Sequence, residues 1–450
     1  MSEKMATADV SGKAKHRSPW AFMPCLDFVY GIFNGFASQY VSLVFKTMGA
    51  SNAIVGLTSL LQLPMGLKAL WAPAVDRWGT YRSVMLTNLL VIAFMIGCMA
   101  GVFLLPFNTM AVIAGMFFLT ILVITFFEVS YVGYRVSALT GSQIALFAGI
   151  SSALFRLGLM FGNSVLIILV GKIQERTQSY NVAWAVVFGL VALSVAAIAL
   201  YLKRILPYPA SDSKNSSKLT PKSYLASYTS FFKQHRGAVI LVYLFTCRLG
   251  EGMLNVIKNP FFLDPVEKGG LGMSLTDIGI MGPFVIIALI AAGIIGGIIV
   301  KTVGLSKCFF ALGLLMFLPN ACFSWLALYP KYEMVEFFGV TVNPWVLGSL
   351  VIEIIGYGLS FAAIVTFAAL IAKNAGTNKA TFGAITGSVN LLGFMLGGAF
   401  SGIVQEHVGY FWTFNITMLL SIPAWILILF LPVGEIMEKS AQLDAEAKGS

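Results

Sequence analysis

Runs of roughly twenty mostly apolar residues, each long enough to cross about 30 Å of hydrocarbon as a helix, recur along the whole chain. Twelve can be marked: Trp20–Leu43, Ala53–Leu70, Val84–Leu105, Met110–Tyr131, Ile144–Val170, Val182–Leu206, Val239–Phe262, Ile278–Val300, Leu305–Leu328, Trp345–Ile371, Thr381–Val404 and Phe411–Leu431. Alternating apolar and polar strands of about ten residues, the mark of a membrane β-barrel, are absent. The reading is an all-α membrane protein with twelve transmembrane helices. Composition agrees, because 58% hydrophobic against 11% charged residues leaves too little charge to cover a soluble domain.

The net charge of +10 does not read as a nucleic-acid surface, since the basic residues fall between the apolar runs. There they set orientation. Lys4, Lys13, Lys15, Arg17, Arg77, Arg82, a linker rich in Lys and Arg between 203 and 236, Lys301, Lys307, Lys373 and Lys379 all lie on one side. That side is expected to be cytoplasmic, with both termini and the linker. The first residues are polar and lack a signal-peptide core, so the first run is expected to be a retained helix. Expected boundaries are a tail over 1–19, six helices over 20–206, a linker over 207–236, six helices over 237–432 and a tail over 433–450.

The halves carry a repeat at an offset of 225, taking Asp76 to Lys301, Gly79 to Gly304, Arg82 to Lys307, and Glu128 to Glu353. Asp27 maps one residue past Glu251. Two six-helix repeats, each with a carboxylate in its fourth helix, resemble the major facilitator architecture, in which substrate is held between the halves. VDRWGTYRS resembles that family's loop signature, with Asp76, Arg77, Gly79 and Arg82 matching. The resemblance implies a cytoplasmic gate from these four with Lys301, Gly304 and Lys307. An ordinary basic loop with a glycine turn is the alternative.

Intramembrane charges cost roughly 2.5–3.5 kcal/mol each on insertion scales, and helical spacing gathers them. In the first helix Asp27, Gly31, Asn34, Ser38 and Ser42 form a polar stripe, with Leu26, Tyr30, Phe33 and Ala37 on the adjacent apolar face. Glu128, Tyr131 and Arg135 share a face of the fourth. Arg156 lies in the fifth, Arg248, Glu251 and Asn255 in the seventh, and Glu353 and Tyr357 in the tenth. These are the candidate proton-coupling and substrate-cavity residues. Asp27, seven residues after Trp20, reads either as a coupling or gating group or as an interfacial anchor. Arg248 with Glu251 reads equally as a structural pair or a coupling pair. Lys46 and Lys68 read as snorkelling cations, and Tyr131, Tyr134, Trp184, Trp345 and Trp412 as packing or interface residues, with substrate stacking open for Tyr131. Five cysteines without paired spacing read as small buried hydrophobes.

GLKALWAPAVDRW, FEVSYVGYRVSALTGSQIALFAGISSALFRLGLMFGNS, CRLGEGMLNVIKNPFFLD and FAALIAKNAGTNKATFGAITGSVNLLG are similar to the AmpG-type muropeptide permeases and their relatives, which include siderophore importers and acetyl-coenzyme A transporters. The resemblance implies proton-driven import across a bacterial inner membrane, with an anhydromuramyl sugar-peptide as cargo in the muropeptide branch. It carries acidic roles onto Glu128, Glu251 and Glu353, and basic ones onto Arg135, Arg156 and Arg248. Two departures are the halt after twelve helices and the acid at Asp27. Protons, a small-molecule substrate and the bilayer are the expected partners of a monomer, with no cofactor and no metal. An iron-chelate or other metabolite importer, or a non-transporting sensor or assembly factor, are the alternatives. No HExxH, GxSxG or GxxxxGK[ST] motif is present, so the reading is not an enzyme.

Overall fold

A computed structural model describes residues 18–68, 70, 79–106, 109–139, 141–209, 229, 231, 233, 236–375 and 379–449. Its helices are α1 (Met23–Thr47), α2 (52–66), α3 (Tyr81–Phe103), α4 (Met110–Ala138), α5 (141–177) and α6 (Tyr180–Ile205). There follow α7 (Gly237–Leu263), α8 (Leu275–Val303), α9 (Leu305–Leu328), a hairpin of β1 (Val335–Phe337) and β2 (Val340–Val342), and α10 (Pro344–Lys373). The last long stretch, Lys379–Leu427, is divided at Gly409, whose φ is 77°, into α11 (379–408) and α12 (410–427). An amphipathic α13 (Val433–Gly449) comes last.

Among the described residues, ten stretches are long and apolar enough to cross a membrane, with Phe382–Phe430 counting once. Dividing that stretch at Gly409 and adding α2 gives the twelve expected. α2 falls outside the ten because its described helical stretch, 52–66, is shorter than a span, and it carries a tight turn. Thr58 and Ser59 turn their hydroxyls onto the Val55 and Gly56 carbonyls at 2.6 and 2.9 Å, side-chain bonds that compete with the helix ladder, and Thr58–Gln62 tightens into a 3₁₀ turn. Elsewhere the starts follow local chemistry: Thr80, Thr109, Ser179 and Asn343 cap α3, α4, α6 and α10, and Ser274 with Asp277 forms a capping box on α8.

The chain divides into two compact units, Met1–Met48 with Leu70–Lys218, and Gly49–Ala69 with Leu219–Ser450. In the first, α1 is the most buried span. It crosses α5 so closely that a Cβ on Gly31 would overlap the Phe155 carbonyl, and one on Gly158 the Phe28 carbonyl. Lipid is as apolar as leucine, so small residues that let backbones meet are what holds such helices together. Both helices carry a π-turn at this level, and Tyr40 of one donates to the Gly162 carbonyl of the other at 2.7 Å. Trp184 is fully buried and bonds Thr47 at 2.9 Å, a packing role.

The second unit repeats the device. α7 crosses α11 with Gly252 against Phe394 and Gly397 against Leu249. The 49–69 stretch groups here because Ser59 donates to the Met395 carbonyl at 2.8 Å, and because the Asn52 amide bonds Asp264 and Gln405 at 3.0 and 2.7 Å. Tyr410 closes that buried cluster by donating to Asp264. α13 is held under α10 by Asn374, whose amide donates to the Ile436 carbonyl at 2.7 Å.

Candidate functional site

In the first unit the polar residues of α1 meet those of α4. The Tyr131 hydroxyl donates to Asp27, and the Tyr30 hydroxyl donates to Glu128 at 2.8 Å. Each helix supplies one acid and, three residues later, one phenol, so the two bonds run in opposite directions between the helices. Asp27 is 1% exposed, and Ser151 of α5 lies beside its carboxyl as well. Arg135 lies beside both Tyr131 and Asp27. The rings of Tyr131 and Phe155 flank that of Tyr30 at 5.5 and 5.0 Å.

Of the other residues expected here, Asn34 is half-buried and its carbonyl accepts from Ser38 at 2.7 Å. Arg156 is half-buried on α5. The expected apolar face of α1 needs a correction: Tyr30 does not merely pack but brings its hydroxyl to Glu128. Tyrosine is amphipathic, so a hydropathy pattern files it with the apolar residues while its oxygen still requires a partner when buried.

The second unit has the same plan with different charges. α7 takes the place of α1, and α10 that of α4. Arg248 bonds Glu251 one turn along α7 and donates to the Tyr357 hydroxyl of α10 at 3.2 Å. Its guanidinium also lies 5.0–5.6 Å from the ring centres of Tyr357, Phe361 and Phe394, within cation–π range. Glu353 pairs with Lys258 of α7 at 3.7 Å. Glu251 lies within electrostatic reach of Arg248, Glu353 and Lys258, so two acids and two bases form one buried group. Asn255 is half-buried between Glu251 and Lys258 along α7.

Lys258 is absent from the sequence-derived set. The signal was its spacing, seven residues from Glu251 and so on the same helical face; its nearness to Glu353 depends on how α7 and α10 pack. A cavity of about 320 Å³ opens among α7, α10 and α11, with Phe361, Ile364 and Ala368 on one wall and Thr386, Gly387 and Asn390 on another. Asn390 spans back to α7, donating to the Leu244 carbonyl at 3.1 Å.

Among the gate residues, Asp76 and Arg77 lie outside the described residues. Gly79 immediately precedes the Thr80 cap of α3. Arg82 is buried and serves as a cap for α6: its Nε and a terminal nitrogen donate to the Leu206 and Lys203 carbonyls at 3.2 and 2.9 Å, with the guanidinium 3.7 Å from the Tyr208 ring centre. In the second unit Lys301 and Lys307 are exposed, and Gly304 turns the chain between α8 and α9 at φ 91°. The loops share spacing, but the buried capping arginine occurs in the first alone.

Residues 25–390 match the family model described as Major Facilitator Superfamily. The chain is 26% identical over 410 residues to an uncharacterized protein of Haemophilus influenzae, covering 86% of this chain and 88% of that one. It is 23% identical over 432 residues to a Rickettsia typhi protein named "Putative transporter AmpG 2", covering 91% and 95%. Among solved structures, a mutant of the nucleoside transporter NupG superposes with a TM-score of 0.67 at 17% identity, over 90% of this chain and 98% of that one. A bacterial homologue of the lysosomal transporter Spinster superposes with a TM-score of 0.65 at 14% identity, over 92% and 97%. These likenesses carry the fold.

Proposed function

Because this chain belongs to the Major Facilitator Superfamily, a family of multi-pass membrane transporters of small molecules, we propose that it is a proton-coupled importer working by alternating access of its two repeats. The cargo is a bulky polar solute of the anhydromuropeptide class. The proton gradient drives it without a cofactor, the working unit is a monomer, and the location is a bacterial inner membrane with both termini cytoplasmic.

One observation carries the coupling: Asp27 is sealed from solvent and held by the Tyr131 phenol, with Ser151 and Arg135 beside it. A carboxylate held by a phenol's hydrogen bond can gain and lose a proton while that partner stays in place. The second unit supports it differently, since Arg248 and Lys258 balance Glu251 and Glu353, a group suited to an anionic or zwitterionic solute. The cargo class rests on the resemblance of the α2, α4–α5 and α7–α11 sequences to the muropeptide permeases, and relatives named as transporters of the AmpG group stand beside it.

The test is uptake of a radiolabelled anhydromuropeptide by proteoliposomes under an imposed pH gradient. Accumulation that collapses with a protonophore supports the reading. Accumulation indifferent to the gradient removes the coupling, and absence of uptake in both gradient-driven and exchange modes removes the cargo.

A further inference from the structure

The connection between α9 and α10 contains the hairpin of β1 and β2, with Val335 opposite Val342, Glu336 opposite Thr341 and Phe337 opposite Val340. Directly opposed residues share a face. One face is therefore Val335, Phe337, Val340 and Val342, and the other is Glu336 and Thr341. Phe338 and Gly339 make the turn, with φ of 48° and 75°. Two left-handed residues in succession define the tight hairpin turn that normally takes Asn-Gly or Asp-Gly.

A bulky aromatic in that conformation is strained, and Phe338 is also 85% exposed. A soluble hairpin gains nothing from either feature. Asparagine would serve the turn better, and a polar side chain would serve the surface better. The surroundings supply a reason. Trp325, Tyr329 and Trp345 stand exposed at the same ends of α9 and α10, with the two indoles 5.5 Å apart. Tyr332, Met334, Val335 and Phe337 continue the exposed apolar surface to the tip.

Reach is limited. Three-residue strands span roughly 10 Å at about 3.3 Å per residue, so an upright ribbon would cross an interfacial layer of roughly 5–8 Å beyond the hydrocarbon, whereas one laid against the helices stays within it. The loop is also pinned close to the α10 start by Asn343, whose amide donates to the Lys331 carbonyl at 2.7 Å, and Phe337 packs on Phe284 of α8 with ring centres 5.7 Å apart. The tip thus stays beside the depth where amphipathic rings of spanning helices collect.

We propose that this hairpin is a lipid-binding wedge, its Phe338 ring seated at the headgroup–acyl boundary of the leaflet at that end of α9 and α10. The ligand is phospholipid. Lipid contact there is continuous with the lipid-facing surface of the two helices, which is why a bilayer fits this surface better than a protein partner. The strain at Phe338 is then tolerated because the turn aims the ring outward from a short, anchored ribbon.

The test replaces Phe338 by p-benzoylphenylalanine in the full chain, reconstituted in liposomes of phosphatidylethanolamine and phosphatidylglycerol, and irradiates it. Phospholipid adducts at position 338 are expected by mass spectrometry. No adduct, a cross-link within the chain, or a cross-link to a second copy would overturn the proposal. Hydrogen exchange of the 332–343 segment in the same liposomes gives an independent reading on the unlabelled protein. Phe338→Asn, which suits the turn, is expected to raise exchange there several-fold while Phe338→Trp leaves it unchanged. Equal exchange in the wild type and Phe338→Asn would also overturn it.

Discussion

Tyr30 of α1 donates to Glu128 of α4 at 2.8 Å, one helical turn from the point where Tyr131 of α4 donates to Asp27 of α1. The two bonds cross the same helix pair in opposite directions. Neither acid meets its phenol through sequence proximity, and together they turn a buried, mostly apolar stretch of helix into a site with two sheltered carboxylates.

Asp27→Asn is expected to retain substrate exchange in counterflow while losing accumulation against a concentration gradient. An asparagine keeps a hydrogen bond to Tyr131 but cannot carry a proton. Parallel counterflow and gradient-driven uptake in proteoliposomes make the comparison. A variant that still concentrates substrate would leave Asp27 a structural part only.

Lys258→Met and Glu353→Gln are each expected to destabilise the protein by about 3–5 kcal/mol, because removing one partner of a buried ion pair strands the other charge. The double variant should recover much of that loss. Thermal unfolding of all four proteins in one detergent completes the cycle, and additive losses would show that the two residues do not act as a pair.

Arg82→Ala should cost about 1–3 kcal/mol, the expected loss for charge-assisted bonds to the α6 carbonyls, and Arg82→Lys should recover only part. A lysine cannot reach Leu206 and Lys203 with a planar fork. Melting temperature reports the stability, and transport measured well below the melting point separates a cap from a gate. Unchanged transport in Arg82→Ala at that temperature would leave the gate to the rest of the loop.

Gly252→Val is expected to prevent assembly of the second unit, since its first added carbon would overlap the Phe394 backbone, whereas Gly189→Ala has open space around it and should be neutral. Size-exclusion profiles after membrane extraction distinguish them. A monodisperse Gly252→Val protein with an unchanged melting point would show that α7 and α11 can separate at no cost.

Much of the architecture was legible because a bilayer imposes a local rule. About 30 Å of hydrocarbon demands a run of apolar residues, and backbone bonding in lipid permits nothing but helices or barrels. The spans, their internal repeat and the acids Glu128 and Glu353 could all be read from neighbours along the chain. The break between the last two spans was also legible, marked between Val404 and Phe411, where the left-handed Gly409 supplies it.

What tertiary structure alone decided is which polar groups meet. Tyr30 reads as an apolar-face residue until α4 is placed beside it, and Lys258 is one more lysine until α10 brings Glu353 within 3.7 Å. Arg82 looks like a loop cation until the end of α6 lies against it. Helical periodicity tells which residues share a face, but the rotation and crossing of two helices are set by glycines and side chains from distant parts of the chain. The sequence therefore determined a twelve-span transporter scaffold carrying buried charge; packing determined that Asp27 would be answered by Tyr131 and Glu353 by Lys258, because a hydrogen bond or an ion pair needs atoms within a few ångströms, whatever separates them in sequence.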